Sequence, residues 1–102
     1  MTTGIDIIAA ERKAHFTREG FTADRDAQYT KGELAEAAAC YATRSLLRNV
    51  RWPWDDSWWK PSPDNRIKEL AKAGALIAAE IDRLLAKEQI KDVAKLIAKE
   101  LP

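Results

Sequence analysis

The sequence predicts an all-α protein with a three-helix core, an ordered Trp- and Pro-rich loop between helices two and three, and a C-terminal helical extension. Three observations carry that reading. Apolar residues recur at three- and four-residue spacing in successive stretches, and no segment shows the strict alternation of a half-buried strand. Capping signals bracket those stretches. Pro53, Pro61 and Pro63 interrupt the chain between the second and third stretch, where a helix interior would not tolerate them.

The first helix is expected from about Ile5 to Glu19, with Ile5, Ile8, Ala9, Arg12 and Phe16 on one side and Gly20 as its C-terminal cap. Residues Phe21 to Tyr29 are polar and aperiodic and read as a loop. Thr30-Lys31-Gly32-Glu33 fits a capping box, opening a second helix through Leu34, Ala37, Ala38, Tyr41, Ser45 and Leu46. Its alanine face permits close approach of a neighbour. Ser62 as N-cap and Pro63 as first helical residue start the third helix, whose stripe is Ile67, Leu70, Ala71, Gly74, Ile77, Ile81 and Leu84.

Beyond Leu85 that stripe loses phase, and Ile90, Val93, Ala94, Ile97 and Leu101 form a new one displaced around the axis. Either the helix kinks near Lys87-Glu88-Gln89 or a fourth helix begins there. The division is therefore residues 1–85 as a helical domain and 86–102 as an amphipathic C-terminal helix or continuation. Lys87, Lys91, Lys95 and Lys99 line the side opposite the new stripe, and such a tail usually docks on its own domain or pairs with a copy of itself, more rarely lying on a membrane surface.

Composition narrows the function classes. Seventeen basic against sixteen acidic residues leave a net charge of +1, which gives no global case for duplex nucleic acid or an anionic membrane. No apolar run approaches the roughly 20 residues that span a bilayer. The single cysteine, Cys40, excludes an intrachain disulfide and fits a reducing compartment, so a cytoplasmic location is expected.

The most unusual feature is Trp52-Pro53-Trp54-Asp55-Asp56-Ser57-Trp58-Trp59-Lys60-Pro61, which holds all four tryptophans of the 102 residues. Each Trp buries about 150–250 Å² and its ring N–H seeks a partner. The segment is thus either a rigid plug over a small core or a binding surface. Adjacent Trp58 and Trp59 should point in different directions. Arg44, Arg48, Arg51, Lys60, Arg66 and Lys68 surround it, against Asp55, Asp56 and Asp64. Aromatic faces flanked by guanidinium groups can sandwich a base and clamp a phosphate. Tyr29 and Tyr41 are placed to contribute. The start of the third helix at Ser62-Pro63-Asp64 offers free backbone N–H groups to an anion.

Several blocks together carry a resemblance: Ile8-Ala9-Ala10-Glu11-Arg12, Glu19-Gly20-Phe21-Thr22, Gly32-Glu33-Leu34-Ala35, Ala38-Ala39-Cys40-Tyr41-Ala42, Trp52-Pro53-Trp54-Asp55, Trp58-Trp59-Lys60-Pro61, and Lys72-Ala73-Gly74-Ala75-Leu76-Ile77 on to Glu80-Ile81 and Arg83. Over roughly residues 7 to 85 the chain resembles a family of small proteins encoded by tailed phages and prophages. The resemblance implies a phage or prophage origin and an accessory role in the host cell, such as adjusting metabolism or blocking a defence. It carries no known activity, so no catalytic residue transfers.

Glu33 and Glu36 form an ExxE pair on one helix face, as in the first half of the Mg²⁺ site of MazG-like nucleotide pyrophosphohydrolases. Those enzymes need a second acidic pair spaced ExxD. Here Glu80 and Asp82 are two apart and point to different faces, and Glu69 stands alone. Glu33 also has a structural role in the capping box. Glu11, Arg12, Arg44, Glu80 and Arg83 read as interhelical ion pairs or as polar groups facing a pocket. His15 has no second ligand at metal spacing, Cys40 reads as a small buried residue, and no Gly-rich phosphate loop exists.

Three functions follow. A non-enzymatic module would hold a nucleotide-like molecule through Trp52, Trp54, Trp58, Trp59, Lys60, Arg51, Arg48 and Tyr41, with no catalytic residue and no cofactor. An inhibitor of a host protein would use exposed tryptophans as anchors. A hydrolase would use Glu33 and Glu36 with Mg²⁺ and a further acid. The first is the preferred reading, in a homo-oligomer with no membrane and no duplex nucleic acid as partner.

Overall fold

A computed structural model describes residues 1–18, 20, 22–44 and 51–100 of the chain. Among them the fold is all-α. Helix α1 spans Gly4–Thr17, the short α2 Ala23–Asp26, α3 Glu33–Thr43 and α4 Arg66–Glu100, with one 3-10 turn over Asp56–Trp58 in the Trp segment. The 35 residues of α4 make a rod of roughly 52 Å, against which α1, α2 and α3 pack.

Local chemistry sets the ends. Thr3 and Asp6 form a reciprocal capping box on α1: the Thr3 hydroxyl accepts from Asp6 N (3.2 Å) and the Asp6 carboxylate from Thr3 N (2.9 Å). Those two bonds hold the Asp6 carboxyl below its ordinary range. Thr22 caps α2 inside the stretch expected to be loop, accepting from Arg25 N at 3.1 Å. The box expected at Thr30 and Glu33 does not form. Gly32, at φ +85°, turns the chain into α3, and Glu33 instead accepts from Lys31 N at 2.6 Å. Likewise α4 starts at Arg66 rather than Pro63. The Asn65 side chain accepts from Lys68 N, while Ser62 accepts from Asn65 N through its carbonyl and from Lys72 Nζ through its hydroxyl rather than capping the helix. Ser45 and Leu46, expected in the second helix, lie outside the described residues, as does the expected C-terminal end of the first helix at Glu19.

The core is built of alanine. Leu34, Ala37, Ala38 and Tyr41 of α3 meet Ala73, Leu76 and Ala79 of α4, with Tyr29, Trp52, Trp54 and Trp59 packed over them. Of the stripe expected to face inward, only its small members Ala71 and Gly74 do. Ile67, Leu70, Ile77, Ile81 and Leu84 are all roughly half exposed, whereas Glu69, Ala71, Ala73, Ala75, Leu76 and Ala79 are buried. Methyl-sized side chains let helix backbones approach closely, and the bulk the alanines lack comes from aromatic rings. At Gly74 there is no room for a side chain against α1: a Cβ there would lie 2.6 Å from Ile8 Cδ1 and 2.7 Å from its Cγ1. Nor does α4 break near Lys87; it runs uninterrupted through the boundary expected at residue 85.

Ion pairs tie the elements together. Arg12 of α1 reaches Asp26 of α2 (3.5 Å) and Asp82 of α4 (3.1 Å), and also donates to His15 Nδ1. Lys68 meets Glu11 at 3.0 Å. Glu69, buried on α4, accepts from Arg44 Nε at 2.8 Å, and Arg66 donates to the Tyr41 and Ala42 carbonyls at the end of α3. Glu80 pairs with Arg83 one turn on, within α4 rather than between helices. No helix of the described residues is long and apolar enough to cross a membrane.

Two predictions follow from this packing. Gly74→Ala gains helix propensity but drives a methyl into Ile8, so it should cost about 1 kcal/mol net, as overpacking does. Thermal melting of Gly74→Ala with and without Ile8→Ala checks it, the second change restoring the loss. Asp26 is buried, and that burial raises its carboxyl pKa despite the Arg12 guanidinium. An acid raised on folding stabilises fully below its unfolded pKa and loses that contribution as pH rises through the folded one. Asp26→Asn should therefore melt no lower than the parent chain at neutral pH, and any advantage should vanish near about pH 3.5. A lower melting temperature at neutral pH would mean the Arg12 pair outweighs the burial.

Candidate functional site

The Trp segment folds back over the α3–α4 seam because each turn of it is bonded. Asp55 Oδ1 accepts from Ser57 N (2.9 Å), Trp58 N and Trp59 N donate to the Asp55 and Asp56 carbonyls, and the resulting 3-10 turn separates Trp58 from Trp59. Hydrogen bonds to Ser57 hold the Asp55 carboxyl below its ordinary range, so it stays charged. Trp52 Nε1 donates to the Asp55 carbonyl at 3.0 Å, closing the loop on itself. Lys60 N donates to the Tyr41 hydroxyl at 3.2 Å and Lys72 Nζ to the Lys60 carbonyl at 2.6 Å, fixing the loop's far end to α3 and α4.

The rings form one continuous cluster. Trp59 lies over Tyr41 with centroids 4.7 Å apart at 30°, and Trp52 meets Tyr41, Trp54 and Trp59 at 5.7, 5.4 and 5.0 Å in edge-on contacts. Tyr29 packs on Trp54 at 5.1 Å. Such pairs add about 0.5–1.5 kcal/mol each beyond burial. Trp58 stands apart, 46% exposed, with the Arg25 guanidinium 5.3 Å and the Lys60 ammonium 5.9 Å from its ring centre. Cation–π attraction thus holds two cations at the edge of the cluster.

Between this loop and the helices lies a cavity of about 270 Å³. Tyr29, Tyr41, Trp52, Trp54 and Trp58 supply its aromatic walls, Leu76 its floor, Arg25, Lys60 and Lys72 its cations, and Glu11, Asp55 and His15 the rest. Because Arg12 can only donate, His15 Nδ1 is the acceptor in their contact. Trp54 Nε1 is buried with no hydrogen-bond partner within the protein. The volume suits one planar ring system and little more, near the small end of ligand pockets.

Of the residues singled out in the sequence, Tyr41, Trp52, Trp54, Trp58 and Lys60 line the cavity. Trp59 backs it by stacking behind Tyr41, Arg51 is exposed away from its lining, and Arg48 lies outside the described residues. Arg44 and Arg66 are committed to Glu69 and to the end of α3, and Lys68 to Glu11. Sequence reasoning missed Arg25, Lys72 and His15 as cavity residues. Arg25 had a signal, its position four before Tyr29 on what is now α2; its Nε donates to the Tyr29 hydroxyl at 3.2 Å. Glu33 bonds Lys31 N and Glu36 is exposed, and no cluster of three metal-ligating side chains exists among the described residues. The anion site expected at Ser62 shifts to a helix start that Asn65 already caps.

Set beside protein-family models, curated proteins and solved structures, the chain finds no match in any of the three.

Substitution separates support from surface. Trp59→Ala should lower stability by about 2–4 kcal/mol, below the cost of a fully buried ring, because the side chain is only half buried. Trp58→Ala should leave the melting temperature within a degree or two. Equal losses in both would mean that Trp58 is part of the core.

Proposed function

We propose that this chain is a phage-encoded accessory protein that binds, without turnover, a nucleotide-like ligand in the aromatic cavity under the Trp segment. The observation that supports the reading is the composition of that cavity: rings on several sides, with three cations from three different elements. Arg25 comes from α2, Lys60 from the loop and Lys72 from α4. A planar base would insert among Tyr29, Tyr41, Trp52 and Trp54, where stacking contributes about 1–3 kcal/mol per base. The phosphates would stay with Arg25 and Lys60, beside Trp58, because the cavity is too small for the whole molecule. Glu11 and Asp55 add acceptors for the amino and imino N–H groups of a base.

In this reading the protein works in the host cytoplasm as a homo-oligomer, and withholding a nucleotide signal from a host defence is the role that fits such capture. A second reading rests on one observation, the exposure of Trp58 beside two cations: a host protein could dock on that ring. For the Mg²⁺-dependent hydrolase, the described carboxylates offer no complete metal cage.

A thermal-shift titration with linear and cyclic nucleotides tests the proposal, with and without Mg²⁺ and with chromatography to follow each compound. A nucleotide should raise the melting temperature and be recovered intact, while its nucleoside and inorganic phosphate alone give smaller shifts. Lys60→Glu and Arg25→Glu should each weaken binding at least tenfold. No shift with any nucleotide would overturn the reading, and Mg²⁺-dependent turnover would replace it with hydrolysis.

A further inference from the structure

Past Leu84 the long helix leaves its own domain. Every described side chain from Leu84 to Lys99 is exposed, and residues 85–100 overhang by roughly 24 Å. The overhang is nonetheless apolar along one arc: Leu85, Ile90, Val93, Leu96 and Ile97 are between 54% and 70% exposed.

The phase of that arc is informative. Lys72, Leu76, Ala79, Arg83, Ala86, Ile90, Val93 and Ile97 follow one another by fours and threes, the heptad spacing of a helix seam. Leu76 and Ala79 are buried by the chain's own helices, and Lys72 and Arg83 are half covered. The tail therefore extends the face that packs on the domain, as a seam without its cover. At about 100° per residue, the exposed stripe of Ile67, Leu70, Ile77, Ile81 and Leu84 lies roughly 170° away on the other side.

We infer that this tail seam pairs antiparallel with the same seam of a second copy, about a two-fold axis near Val93. The pattern favours a copy of this chain over a lipid surface. The tail's row of four lysines is interleaved with Glu88, Asp92 and Glu100, and Lys91 already lies 3.8 Å from Glu88, so that row is partly neutralised and offers an anionic membrane little net charge. The net charge of +1 gives two copies little cause to repel. A two-fold seam is self-complementary and closes at two copies, and Ala86 and Ala94 let the helices approach closely.

The orientation follows from sterics. Helix α3 packs on the seam at Leu76 and Ala79, so a parallel pair would drive the two α3 layers into each other. In the antiparallel pair each tail points toward the partner's layer and continues it. The opposite stripe is the poorer seam, because Ile8 fills its centre at Gly74. Two tails together expose on the order of 1,000 Å² of apolar side chain, at the lower edge of specific interfaces. Dimerisation is therefore concentration-dependent.

Sedimentation equilibrium of the full chain tests this. The average mass should climb from 11.5 kDa toward twice that value as the protein passes through the micromolar range. Ile90→Lys with Ile97→Lys should hold it at the monomer mass, with the thermal unfolding of the domain unchanged. Ile77→Lys with Ile81→Lys, on the opposite stripe, should still dimerise. A parent chain that stays monomeric to several hundred micromolar overturns the inference, as does dimer loss in the Ile77/Ile81 variant alone. An Ile97→Cys chain that oxidises readily to a covalent dimer would show the tails to be parallel, since antiparallel tails keep those two positions too far apart for a disulfide.

Discussion

Tyr41 is the contact on which the rest of the molecule depends. It is buried near the end of α3, where its ring carries Trp59 at 4.7 Å and the edge of Trp52 at 5.7 Å. Its hydroxyl receives Lys60 N and its carbonyl receives Arg66. One residue therefore joins α3 to both ends of the Trp segment through its side chain and to the start of α4 through its main-chain carbonyl. The need arises from the alanines. A seam of Ala37, Ala38, Ala73 and Ala79 brings two helices close but buries little area for each residue, and a chain of this length has a modest core to begin with. Half-buried tryptophans supply the missing apolar surface. Their arrangement around Tyr41 leaves a cavity bounded by rings on one side and by helices on the other.

That origin gives the site a double character. Trp52 and Trp54 belong to the core and to the wall of the cavity at once, with Trp59 backing that wall through Tyr41, so the two readings of the Trp segment are not exclusive. Trp58 is different: the 3-10 turn over Asp56–Trp58 turns it outward, where it gathers Arg25 and Lys60. Binding and folding are thus coupled through the same rings, and a ligand entering the cavity would stabilise the loop that forms it.

The three long helices, the ordered Trp loop and the different orientations of Trp58 and Trp59 were legible in the sequence, because periodicity, proline and neighbouring positions fix them locally, whereas the four-residue α2 is too short to show a period. The burial of α4 was not. Its bulkiest stripe drew attention, whereas the neighbours settled on the alanine face, and nothing in a hydropathy pattern says that small residues will win the contact. The apparent phase slip after Leu85 has the same cause: the tail stripe is in phase with the buried face and out of phase only with the exposed one. At the site, the contiguous Trp, Lys60 and Tyr41 were legible. Arg25, His15 and Lys72 come from three different helices, and only the tertiary packing of α1, α2 and α4 brings them together. Arg44 and Arg66, close in sequence to the tryptophans, went instead to buried Glu69 and to the end of α3.

The central claim is that the Trp segment is a bonded part of the fold, held through Tyr41, and hydrogen exchange measures that most directly. The account predicts that Trp59 N–H, Lys60 N–H and the Trp52 indole N–H exchange slowly, within about a factor of ten of the α3 amides, because opening them requires the ring cluster to come apart. Exchange of those three protons at free-chain rates, while α3 and the first half of α4 stay protected, would contradict it.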